Sequence, residues 1–162
     1  MNTGSAFTIN PDDFLETPEG RVWTPERNAE AWAQSYQALK QALARYPRIL
    51  RIILVCGIQG SGKTTWITAQ PDRTDVIYFD AALPGTRHRK GIIEIAKERG
   101  VPIDAVWIKV PLATALDRNS QRDPDKRVSD AAIQSVANQF EEPTEAEGFG
   151  QVLIVEDRPS AT

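Results

Sequence analysis

The first stretch of the chain with a regular apolar period lies in residues 32–43. Trp32, Tyr36, Leu39 and Leu43 recur at three- and four-residue steps, which lays one apolar stripe along a helix. Thr24-Pro25 supplies an N-cap hydroxyl followed by proline at the first helical position, and Pro47 cannot continue the turn, so the pattern predicts a helix over 25–45. Residues 1–22 carry Gly4, Pro11, Pro18 and Gly20 among several acids and keep no period; they are expected as an irregular arm.

The pattern then changes. Residues 49–56 are apolar at every position but Arg51, as in a strand buried on both faces of a parallel sheet. Residues 75–80, 104–110 and 151–155 repeat the pattern. Helical segments separate them: Lys63 to about Gln70, Thr86 to about Arg99, Pro111 to about Arg122, and one capped by Ser129 that carries Ile133, Val136, Ala137 and Phe140. This alternation predicts an α/β fold, a three-layer α/β/α sandwich around a small parallel sheet of about four strands. The expected organisation is one globular domain: an arm over 1–22, a docking helix within 23–47 and a main body over 48–158.

Composition narrows the function classes. A net charge of −3 across 162 residues argues against broad adhesion to duplex nucleic acid or an anionic membrane. Cys56 is the lone cysteine, so no internal disulfide forms, and the N-terminal residues lack the basic and apolar regions of a secretory signal. With no run long enough to span a bilayer, a reduced, cytoplasmic protein is expected. His88 is the sole histidine, which excludes a metal site built on imidazoles.

The sharpest chemical signal sits between strand 49–56 and the next helix: Gly57-Ile58-Gln59-Gly60-Ser61-Gly62-Lys63-Thr64, followed by Thr65. This is a P-loop. Its glycines let backbone N–H groups converge on phosphate oxygens, Lys63 faces the β- and γ-phosphates of ATP, and the Thr64 hydroxyl binds Mg²⁺. The fold class is then that of a P-loop NTPase. Asp80 closes the second strand on the same sheet edge, placed to join the magnesium shell or to take a proton from an acceptor hydroxyl. Arg118 and Arg122, four residues apart, suit a lid over the transferring phosphoryl group. Arg87, Arg89 and Arg127 are candidates for substrate contacts, since the basic cluster 87–90 opposes its own helix dipole unless an anion lies nearby.

The segment Val110–Arg122, with its Arg118-Asn119 and Arg122, resembles the lid of the polynucleotide 5′-hydroxyl kinase family. Arg127-Val128-Ser129, Phe140-Glu141-Glu142-Pro143-Thr144 and Glu147-Gly148-Phe149 are similar to that family's C-terminal portion, and Asp80 with Arg87-His88-Arg89 to its central unit. The resemblance covers about residues 52–156. It implies that Lys63 and Thr64 serve ATP and Mg²⁺, that Arg118 and Arg122 clamp phosphates, that Asn119 lies near the base or the lid hinge, and that a 5′-OH accepts the γ-phosphoryl group.

The chain departs from that family on the acceptor side. The family sets an Asp-x-x-Arg element, with the Asp as general base, on a strand soon after the P-loop. Here a short helix, the turn 71–74 and one strand fill the whole interval between Lys63 and Asp80. Gln59 also stands where proline is common. Helix 25–45 is expected to cover the sheet flank left open. Two other readings remain: a nucleotide-binding module whose state a partner reads, and a simple NTPase.

Overall fold

The computed structural model describes residues 7–156; residues 1–6 of the expected arm and 157–158 of the expected main body lie outside the described residues. Five strands form one parallel sheet. They are β1 (Thr8–Ile9), β4 (Arg51–Cys56), β5 (Val76–Asp80), β6 (Ile103–Lys109) and β7 (Val152–Glu156), in the order β1-β5-β4-β6-β7. Three features of the sequence reading hold here: the parallel pairing, the order of strands and helices, and the burial of β4 and β5. The fold is the P-loop α/β sandwich.

Alternating residues of each strand feed two separate cores. One face carries Ile52, Leu54, Ile77, Phe79, Ile103 and Ala105, and meets α1 (Pro25–Arg45) and α3 (Thr86–Glu98). The opposite face carries Val55, Val76, Tyr78, Val106 and Ile108, and is met by Ile67 and Trp66 of the seven-residue α2 (Lys63–Ala69). Helices therefore lie on both faces, but the second layer is thin. Trp66 meets Tyr78 edge-on at 6.4 Å, and Trp107 stacks on Phe140 at 5.1 Å, so both anchor packing.

α1 begins where capping chemistry dictates: Thr24 Oγ1 accepts from the Arg27 N–H at 3.0 Å, with Pro25 at the first helical position. Its stripe reaches the sheet beside β5, where the Trp32 ring lies 5.9 Å from that of Phe79 and Leu39 is fully buried. The helix therefore packs on the sheet, as its apolar stripe predicts.

The irregular arm expected over 1–22 is corrected from residue 8 onward. β1 pairs in parallel with β5, Thr8 opposite Tyr78 and Ile9 opposite Phe79. A 3₁₀ turn follows over Pro11–Leu15, and then a small hairpin of β2 (Glu16–Thr17) and β3 (Gly20–Arg21). Leu15, 1% exposed, pins this segment to the body. Two residues of strand are too few to leave a period in the sequence, so this pairing escapes pattern reading.

α4 (Leu112–Ser120) and α5 (Asp130–Gln139) complete the fold. They share a third apolar cluster with the P-loop, built on Ile58, Ala115 and Ile133. α4 ends before Arg122, shorter than expected, because the Arg122 N–H turns back to the Asn119 carbonyl at 3.1 Å. Among the described residues no helix is long and apolar enough to cross a membrane.

Candidate nucleotide site

The P-loop leaves the end of β4 and enters α2 through Gly62, whose φ of +100° favours glycine. The N–H groups of the first helical turn have no partner inside the helix and so are available to an anion. Gly60 answers a packing demand. With φ at +82°, a side-chain carbon there would stand 2.5 Å from the Ala115 carbonyl oxygen, so α4 rests directly on the loop. Ser61 Oγ and Gln59 Oε1 are buried without a hydrogen-bond partner among the described residues. Such polar atoms suit a loop shaped around a polar guest.

Lys63 Nζ donates to the loop's own Ile58 carbonyl at 3.3 Å. Burial pulls its pKa below the ordinary lysine value and Arg122 adds to this, while Asp80, Cys56 and Asp12 oppose it. An ammonium held against its desolvation cost gains most from a phosphate placed beside it. Thr64 Oγ1 donates to Asp80 Oδ2 at 2.7 Å. Asp80 itself is 2% exposed, and burial raises its pKa against the lowering effects of Lys63 and the Thr64 hydroxyl. The structure thus brings Lys63, Thr64 and Asp80 into one cluster.

A hydroxyl and a carboxylate at that distance make a hard-oxygen pair that fits Mg²⁺, which takes one or two protein oxygens, phosphate oxygens and waters. Among the described residues no group of three or more His, Cys, Asp or Glu side chains forms a metal cage. The residues that would hold such an ion are Thr64 and Asp80.

From α4, Arg118 Nη1 donates to the Ser61 carbonyl at 3.1 Å, which puts its guanidinium on the phosphate loop. Arg122, beyond the helix end, lies close enough to act on the charge of Lys63. The side chain of Asn119 is 3% exposed and engages Val128 in both directions, its amide donating to the carbonyl and its oxygen accepting from the N–H at 3.0 Å. Both its functions are used in holding the bend, so Asn119 staples the turn after α4, which matches the hinge position among the two expected of it.

The basic cluster resolves differently from expectation. Arg89 is fully buried. Its guanidinium makes a fork to Glu147 at 2.8 and 3.1 Å and donates to the carbonyls of Leu83 and Glu141. Arg89 therefore ties α3 to the 140–147 segment and is withdrawn from any substrate. His88 Nδ1 accepts from the Gly85 N–H at 3.0 Å and caps α3, while Arg87 is exposed. Arg127 is exposed and donates to the Arg122 carbonyl at 2.7 Å, bracing the bend.

The structure adds residues that pattern reading did not single out. Asn10 Nδ2 lies 3.5 Å from Asp80 Oδ2. Asp12, two residues on, acts through its charge on both Lys63 and Asp80. The pKa of neighbouring Asp13 is raised, first by burial, with Arg21 opposing and Asp12, Asp80 and Glu16 adding. Only the acidic composition of the arm hints at this in the sequence.

Residues 69–143 match the family model described as an AAA domain, a stretch that begins just after the P-loop and lies within the α/β body. No curated protein matches the chain. Among solved structures, it is similar to the AvrRxo1-ORF1:AvrRxo1-ORF2 complex, native and with sulphate ions, at 16% identity and a TM-score of 0.45 in each case. That alignment covers 76% of this chain and 58% of the other, so the chain spans little more than half the length of that relative. It is also similar to the tunicamycin resistance protein of Deinococcus radiodurans, at 16% identity and a TM-score of 0.42 over 89% of this chain and 72% of that one.

Proposed function

We propose that this protein is an ATP- and Mg²⁺-dependent kinase that moves the γ-phosphoryl group of ATP to a hydroxyl, either a polynucleotide 5′-OH or that of a small nucleoside or metabolite. The observation that carries this reading is the 2.7 Å hydrogen bond from Thr64 to Asp80, set beside Lys63 and beneath the Arg118 helix. Binding alone needs the loop; transfer also needs cations over the moving group and a fixed metal-side carboxylate.

In this reading the loop backbone and Lys63 hold the β- and γ-phosphates. Thr64 and Asp80 would hold Mg²⁺, which when bound would offset the negative charge of the phosphates. Arg118 leaves the Ser61 carbonyl for the incoming phosphates, and Arg122 follows from the bend. Asp80 is assigned to the metal and not to proton abstraction: it is nearly inaccessible, and Oδ2 is engaged by Thr64. The acidic balance of the chain favours a small or single-stranded acceptor over long duplex.

The test is to incubate the protein with Mg²⁺ and γ-labelled ATP in the presence of pooled 5′-OH oligonucleotides, nucleosides and sugars. Label should appear on one hydroxyl class. Label found only in free phosphate would make the protein an NTPase, and nucleotide binding with no turnover would make it a binding module.

A further inference from the structure

We propose, resting on the kinase reading above, that Asp12 is the general base for the acceptor hydroxyl, delivered to the phosphate site by an edge strand that precedes the P-loop in the chain. The argument is geometric. β1 runs parallel to β5, so its carboxyl end opens on the same sheet edge as the P-loop, where ligands of open α/β sheets gather. The Phe7 carbonyl accepts from the Tyr78 N–H at 2.9 Å and fixes the start of the strand. Asn10 fixes its end: the amide nitrogen faces Asp80, and the amide oxygen accepts from the Asp12 N–H at 2.9 Å.

Asp12 is thereby held close enough for its charge to act on both Lys63 and Asp80. Its side chain is 50% exposed, whereas Asp80 is 2% exposed, so Asp12 has room to meet a substrate. Arg21 Nη1 stands 3.5 Å from Asp12 Oδ2 and steadies the carboxylate without enclosing it. Kinases place a carboxylate against the attacking hydroxyl, and Asp12 is an accessible carboxylate whose charge reaches both Lys63 and Asp80.

The step balances simply. The acceptor hydroxyl gives its proton to a carboxylate oxygen of Asp12, and its lone pair forms the new O–P bond to the γ-phosphorus. The bond from that phosphorus to the bridging oxygen breaks, and the electron pair leaves on ADP.

Asp12→Asn in the full chain tests this, with transfer of label followed at saturating ATP and ATP affinity measured by calorimetry. The rate should fall by about 10²–10⁴-fold with ATP affinity little changed. Asp12→Glu, which keeps a carboxylate, should transfer at least about tenfold faster than Asp12→Asn, and Asp12→Ser replaces Asp12→Asn should the amide variant not fold. Equal transfer by wild type and Asp12→Asn overturns the assignment and leaves the kinase reading intact. Loss in Asp13→Asn with Asp12→Asn unaffected also overturns it. Wild-type protein that labels no hydroxyl overturns both.

Discussion

The backbone N–H of Arg21 donates to the carboxylate of Asp125 at 2.8 Å, joining the N-terminal hairpin to the bend after α4 across 104 residues of sequence. This clasp ties the N-terminal segment to that bend. The Arg21 N–H, first among the causes, holds the Asp125 pKa below the ordinary 3.8. A depressed carboxylate pKa contributes above the unfolded value and is lost as pH falls through the folded one. The protection of the Arg21 amide, relative to its unfolded exchange rate at the same pH, should therefore be high at pH 6 and fall as pH drops below 3.8 through the folded value. Asp125→Ala should show low protection at both. Persistent protection in that variant would mean the clasp is not what holds the hairpin.

Gly60→Ala should separate α4 from the P-loop. The new carbon meets a backbone carbonyl that cannot rotate away, at a φ that L residues rarely adopt. A loss of about 1–3 kcal/mol in stability is expected, with ATP affinity falling alongside it. Urea unfolding and calorimetric titration measure the two effects.

Asp80→Asn should divide stability from function. The folded pKa is raised by burial, so protonation favours the folded state; that contribution is full below 3.8 and is lost as pH rises toward the folded value. At neutral pH the ionised group is a net cost that the amide removes while still accepting from Thr64. The variant should melt no lower than wild type without ligand, yet lose the Mg²⁺-dependent part of its ATP affinity. A lower melting point together with intact Mg²⁺ dependence would reverse the assignment.

Arg89→Met should destabilise the fold by about 3–5 kcal/mol, because Glu147 is left with no partner for its charge and two carbonyls lose a donor. Acceptor KM should not change in the fraction that remains folded. A raised KM with unchanged unfolding would return Arg89 to the substrate.

Cys56 lies at the end of β4 against the P-loop, fully buried, and burial pushes its thiol up to about 12. The thiolate is the reactive form, so a disulfide reagent at pH 8 should label it only when urea unfolds the chain. Prompt labelling of the native protein would show that the strand opens locally.

The parts of this fold that sequence reveals are those whose physics is local. The apolar run before Gly57, the glycines of the loop and the Thr24 cap each act within a few residues, so β4, the loop and the start of α1 could be read directly. Asp80 was legible because a buried strand that ends on a carboxylate beside a P-loop admits few uses. Arg89 was not, since its partner Glu147 is 58 residues away and nothing near 89 announces a carboxylate. The same holds for Asn10 and Asp12, whose setting depends on an edge pairing with residues 70 positions on. Long-range contacts of this kind leave no period in either partner.

That edge pairing also dictates an order of events as the chain is made. β1 leaves the ribosome first, but the strand that templates it, Val76–Asp80, is synthesised only after the entire phosphate loop. Until then Thr8 and Ile9 have no neighbour to bond, and closing that contact must wait for one of the most sequence-distant pairings in the sheet. A nascent chain therefore completes its phosphate loop before its N-terminal edge can close, so the strand encoded first is not the first to find its place in the sheet.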